Sequence, residues 1–134
     1  MYEVELIPIL AAAVANIILG FVWYHPKVLG STWMRLANIS PMQAEAGKKK
    51  MPMMAVVAFI AAGVMAYVTA HFKFAWGVYD IVGAVELGFW IWVGFIAVPL
   101  LGIVLWEGKS VKLYAINAGY WLIAMIVTCV ILTL

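Results

Sequence analysis

The sequence predicts an all-α integral membrane protein: a four-helix bundle, N-out and C-out, with a short cytoplasmic interfacial helix between spans one and two. Three observations carry that prediction. The 134 residues are 68% hydrophobic and 10% charged, whereas a soluble domain has about a quarter of its residues charged; a monomer in water could not cover its own surface. The apolar residues fall into four runs, each near the ~20 residues that cross a hydrocarbon core as a helix. Seven of the eight basic residues lie in two gaps between those runs: Lys27, Arg35, Lys48, Lys49 and Lys50 in one, Lys109 and Lys112 in or beside the other, with only Lys73 elsewhere.

The first span, 6–24, ends at Trp23-Tyr24 before His25-Pro26. Glu3 and Glu5 precede it without any Lys or Arg, the wrong flank for a cleaved secretory signal, so it reads as a permanent span. In the cytoplasmic loop 25–51, Leu29, Trp33, Met34 and Leu36 suit a short helix lying along the headgroup plane. Asn38-Ile39-Ser40-Pro41 then reads as a break, with Ser40 as N-cap and Pro41 in the first position of another short helix. The second span, 52–72, begins with Pro52 at a tolerated first-turn position. The third, 81–106, is long enough to require tilt or a kink. Pro99 supplies a cause, since it removes one helical donor and crowds the Phe95 carbonyl. Glu107-Gly108-Lys109 makes a tight turn into the fourth span, 111–132, so the last two spans form an antiparallel hairpin. The chain is thus one transmembrane domain.

Cytoplasmic loops carry an excess of Lys and Arg. With four spans the first and third connections share a side, and the seven-to-one split makes it the cytoplasmic one. The expected location is the cell membrane, multi-pass, with both termini outside. Trp23, Tyr24, Trp33 and Trp106 fit an inner aromatic belt, and Trp76 and Tyr79 an outer one.

One pattern is more specific. Trp23-Tyr24-x-Pro26, then Gly30-x-x-Trp33-Met34, then Glu107-Gly108-Lys109, then Ile116-Asn117-Ala118-Gly119-Tyr120 resembles the small four-span membrane proteins called domain of unknown function seventeen-sixty-one. The resemblance runs from the first span to the end of the chain. It implies the four-helix topology and no particular activity. This chain departs from the family pattern in having Trp121 where a His follows the Asn-Ala-Gly-Tyr run.

Polar side chains inside a bilayer are costly and so mark candidate sites. Glu86 lies about six residues into the third span, roughly 9 Å at 1.5 Å per residue. Tyr67 and His71, four apart, share a face of the second span near that level. With Asp80 they could form one hydrogen-bonded cluster, read either as a proton- or cation-binding vestibule or as a Glu that is protonated or snorkels to the outer headgroups. Asn16 and Asn117 could line a polar path with Glu86, or act as interhelical glue worth about 0.6–2 kcal/mol each. At the inner face His25, Arg35, Glu107 and Lys109 could converge as a gate or anion site, or as a salt-bridge clamp. Small residues spaced four apart, Ala11/Ala15, Ala62/Ala66/Ala70, Ala84/Gly88 and Ala115/Gly119, permit close helix approach.

Several chemistries lack support. A net charge of +2 is too small to argue for nucleic acid. A single cysteine, Cys129, excludes an internal disulfide. No His/Cys set has metal-ligand spacing, and neither a Gly-rich phosphate loop nor a nucleophile triad is present, so no metal, cofactor or enzyme activity is expected. Two classes remain. One is a small oligomeric transporter or channel for a proton, cation or small solute. The other is a non-catalytic scaffold or accessory subunit of a larger membrane complex. The expected partners are the lipid bilayer and either a second copy or another membrane protein.

Overall fold

In a medium without water, a helix is one of the few ways for a chain to satisfy its backbone donors internally. The four apolar runs fold accordingly. The computed structural model describes residues 3–134, and among these no strand occurs. Helix α1 (Leu6–Trp23) is the first span. A π-helical turn, Pro26–Gly30, leads directly into α2 (Ser31–Leu36), the expected short helix. Asn38 ends it in the left-handed region at φ 59, a conformation asparagine tolerates.

Helix α3 runs from Pro41 to Ala75, 35 residues. Its start is where the sequence placed one: the Ser40 Oγ accepts from the Gln43 N–H at 3.2 Å, and the Ser40 N–H donates to Gln43 Oε1 at 2.8 Å, a reciprocal capping box. Its length corrects two expectations. The polar residues 41–51 are not a separate short helix but the first turns of the second span, and Pro52 lies inside the helix rather than in its first turn. Proline removes only the bond to the Lys48 carbonyl, on an exposed stretch, and the flanking Gln, Ala, Glu, Lys and Met are good helix formers. At about 1.5 Å per residue the helix is about 52 Å long, against ~30 Å of hydrocarbon. The excess is its polar end, which carries Glu45, Lys48, Lys49 and Lys50.

The third span is α4 (Ile81–Trp92), a π segment Val93–Ala97, α5 (Val98–Leu100), a turn at Leu101 and α6 (Gly102–Leu105). The π segment contains Phe95 and stops just before Pro99. The expected irregularity is therefore a local widening where the proline would otherwise meet that carbonyl. Asp80 caps α4 by accepting from the Gly83 N–H at 2.7 Å. Gly108, at φ 67, makes the turn into α7 (Val111–Thr133), which Ser110 caps by accepting from the Leu113 N–H at 3.0 Å.

The spans pack antiparallel. Ile9 and Ala12 meet Ala66, Ala70 and Leu132 in one buried cluster, so the start of α1 lies against the ends of α3 and α7. Ala84 and Leu87 meet Cys129 in another. Small residues are buried where helices approach: Ala66, Ala70 and Ala84, with Gly88 against the backbone of Ile126. Ala11, by contrast, is exposed. Helix α7 is the hub. It packs on α1, α3 and α4, while α1 also packs on α3, and α3 and α4 scarcely touch. The gap between those two is a lateral hollow of about 480 Å3 with Met125 of α7 among its lining residues.

Candidate functional site

The polar groups of the interior gather along the seam between α1 and α7. Near its middle, Asn16 is buried at 4% exposure. Its Nδ2 donates to the Ala12 carbonyl at 3.0 Å and to Thr128 Oγ1 at 2.8 Å. A carbonyl can only accept, so this pair fixes which end of the amide is nitrogen. The other end, Oδ1, is buried with no hydrogen-bond partner among the described residues. The Tyr120 hydroxyl donates to the backbone carbonyl of Asn16 at 3.1 Å.

Toward the basic end the seam is closed by aromatic side chains. Trp23 Nε1 donates to the Ile116 carbonyl at 3.0 Å, and the Tyr24 hydroxyl donates to Asn117 Oδ1 at 2.8 Å. The Tyr24 ring lies edge-on to Trp33 at 5.5 Å between centroids, and at the same 5.5 Å from Tyr120. Gly119 leaves room for Trp23, since a Cβ there would sit 3.3 Å from its Cζ2. On the other flank Trp92 Nε1 donates to the Ala118 carbonyl at 2.8 Å, and the Tyr114 hydroxyl to the Ala97 carbonyl at 2.7 Å. These carbonyls use a second lone pair, so the aromatic donors stitch the spans without breaking any helix. Trp23 and Tyr24 therefore turn into the bundle, whereas Trp106 is 86% exposed.

Asn16 and Asn117 thus share one seam, each bonded to a neighbouring helix. Glu86 is elsewhere. It is exposed on α4 and makes no hydrogen bond or ion pair among the described residues. Tyr67 and His71 do share a face, their rings 4.8 Å apart, but Tyr67 is half-exposed on α3. No hydrogen bond joins Glu86, Tyr67, His71 and Asp80 among the described residues. The physical reason is that α7 holds α3 and α4 apart, and that Asp80 spends its carboxylate on its own helix.

The set expected to converge at the basic end is likewise dispersed. His25 Nδ1 accepts from the Lys27 N–H at 3.1 Å and so caps the π turn. Arg35 and Glu107 are exposed, and no ion pair links His25, Arg35, Glu107 and Lys109 among the described residues. An ion pair does form between Lys48 and Glu45 at 2.9 Å, with both side chains about 70% exposed, where such a pair contributes little.

Lys73 stood apart in the charge pattern but was not among the candidate site residues. It is 8% exposed, with Nζ 4.4 Å from the Phe74 ring centroid and 5.0 Å from that of Tyr79. The signal was present in the adjacent aromatics, which accept a cation on their faces. Glu3 and Glu5 line a hollow of about 240 Å3 beside it.

Two further hollows, each about 300 Å3, open beside the seam between α1 and α3. They share Asn16, Ile17, Ala58 and Tyr120, so they adjoin around the buried amide. One extends past Met54 toward Tyr24 and Met51, and the other past Met65 toward Trp121.

Four helices long and apolar enough to cross a membrane, locked at one end by an aromatic and amide seam, define a multi-pass membrane protein of the four-helix class. The family described as Protein of unknown function (DUF1761) matches residues 7–133, and the chain belongs to that family. Three of the four motifs that carried the resemblance meet in the seam, through Trp23, Tyr24, Trp33, Asn117, Gly119 and Tyr120. No curated protein and no solved structure matches the chain.

Proposed function

We propose that the protein is a non-catalytic scaffold or accessory subunit of the cell membrane that works as an oligomer, its copies docking through the outward face of α4. The observation that carries this reading is the placement of Glu86. Asn16 and Asn117 are committed to helix–helix bonds, whereas Glu86 stands on an exposed face with Val82, Phe89 and Trp90 and has no bonded neighbour among the described residues. A carboxyl in hydrocarbon is expensive and calls for a partner. A second copy supplies one through a two-fold contact, in which the same residue faces itself, and two protonated carboxyls can exchange a pair of hydrogen bonds.

The test is energy transfer between donor- and acceptor-labelled copies in liposomes. Glu86→Leu is expected to weaken association about tenfold, in line with interhelical bonds of about 0.6–2 kcal/mol in membranes. Glu86→Gln, which can still pair with itself, is expected to retain most of it. Unchanged association in Glu86→Leu would remove α4 as the interface. The alternative, transport of a proton, cation or small solute, has its own readout: flux in parent proteoliposomes that Glu86→Gln abolishes would replace the scaffold reading.

The orientation belongs to the same proposal. The charge split supports an N-out, C-out arrangement with α2 and the basic end of α3 in the cytoplasm. Single cysteines at Lys49 and Trp76, both exposed, are expected to react with an impermeant thiol reagent from opposite sides of the membrane, while the buried Cys129 stays unlabelled. Labelling of both from one side would reverse that assignment.

A further inference from the structure

We infer that the two adjoining hollows between α1 and α3 form a site for a neutral lipophile that has no charged headgroup and carries a hydroxyl or N–H donor for Asn16 Oδ1. Three observations converge on it. The first is shape. Each hollow is about 300 Å3, the lower end of the range for small-molecule sites, and their shared residues make them one elongated space beside the lipid. The second is the wall. Ile17, Phe21, Met51, Met54, Ala58 and Met65 leave it almost wholly apolar, and among the described residues no Lys, Arg or His lines it, so no cationic side chain there would hold a phosphate or carboxylate. The methionines, unbranched and flexible, can re-pack around an occupant.

The third observation sets the chemistry. The donors of Asn16, Tyr24 and Tyr120 are all committed, to Ala12 and Thr128, to Asn117, and to the Asn16 carbonyl. What these side chains still offer is acceptor lone pairs, and one acceptor, Asn16 Oδ1, has no partner at all among the described residues; it is closed over, so an occupant reaches it by displacing its cover. A buried unpaired amide oxygen is destabilising, and a ligand donor would recover that loss. Depth narrows the class further. Asn16 lies about 15 Å along α1 from Leu6 at 1.5 Å per residue, near the bilayer midplane. A lipid anchored by its headgroup keeps its polar atoms at the interface and cannot present a donor there. A membrane-dissolved phenol, quinol or hydroxylated hydrocarbon can.

The test uses a lipophilic phenol with a diazirine on its alkyl chain, and its methyl ether as the matched probe without a donor. Both are photolysed with the intact protein in liposomes, and the labelled residues are mapped by mass spectrometry. The phenol is expected to label Ile17, Met54 and Ala58 about fivefold more than the ether, the size of one hydrogen bond. Ala58→Trp, which fills the hollows from the α3 side, is expected to abolish labelling there by both. Asn16→Leu is expected to erase the preference for the phenol. Equal labelling by phenol and ether in the parent would overturn the proposal, as would labelling that Ala58→Trp leaves unchanged. The result does not depend on Glu86, so the scaffold reading and this one can fail separately.

Discussion

Gly30→Ala is expected to destabilise the protein by about 3 kcal/mol or more, the upper range for a single added methyl group. The cause is local. After Tyr24 the chain turns through Pro26–Gly30 and folds back so closely that a Cβ on Gly30 would overlap the Tyr24 carbonyl oxygen and lie 2.8 Å from its carbonyl carbon and 2.9 Å from that of His25. All three atoms are backbone, so no rotamer change relieves the clash; the turn itself must open. Opening it moves Trp33 off Tyr24 and disturbs the Tyr24–Asn117 bond. Thermal unfolding in micelles measures the effect. Gly47→Ala is the control: nothing lies within 4 Å of its added methyl, and alanine in a helix interior gains about 0.5–1 kcal/mol over glycine. Equal midpoints for the two variants would show that the turn is not close-packed.

Gly88→Leu is expected to cost about 3 kcal/mol, and to do so selectively. A Cβ at Gly88 would meet Ile126 Cα at 2.9 Å, and both Ile126 N and the Met125 carbonyl oxygen at 3.1 Å. The helices touch backbone to backbone there, and a larger side chain must push α4 off α7. Because α4 packs mainly on α7 and scarcely on α3, amide-exchange protection should fall along Ile81–Trp92 while α1 and α3 keep theirs. The Trp92–Ala118 bond should be lost as well. Gly63→Leu, at a position with nothing within 4 Å, should leave exchange unchanged. Protection lost evenly over all four spans would mean that α4 is not a separable element.

The spans were legible because hydrophobic length is a strong signal, and the Ser40 cap because a serine directly before a proline marks a helix start. The second helix was misread for a definite reason: it begins at Pro41 and does not stop before Pro52. Lys48–Lys50 and Pro52 interrupt the apolar run, but a change in solvation does not end a helix whose hydrogen bonds continue. The polar residues were found, but their grouping was not. Spacing places Tyr67 and His71 on one face of their own helix, yet says nothing about which way that face turns relative to Glu86. Asn16 and Thr128 are 112 residues apart, and neither carries a mark naming the other. Trp23 was read as a belt residue because its acceptor is a backbone carbonyl, which every residue possesses. Lys73, alone in the charge pattern, could have been read with Phe74 and Tyr79 as a cation held between rings.

The hub position of α7 has a consequence for how the chain is made. Synthesis runs from the N-terminus, and elements that find partners early can assemble early. The first and second spans can pair as soon as both are in the bilayer. The third cannot join them, because α4 has almost no contact with α3, and it waits in lipid until the last helix emerges. Assembly is therefore completed from the end of the chain backward: the final span docks on α1, captures the waiting third span with its opposite side, and closes the aromatic seam in the same step.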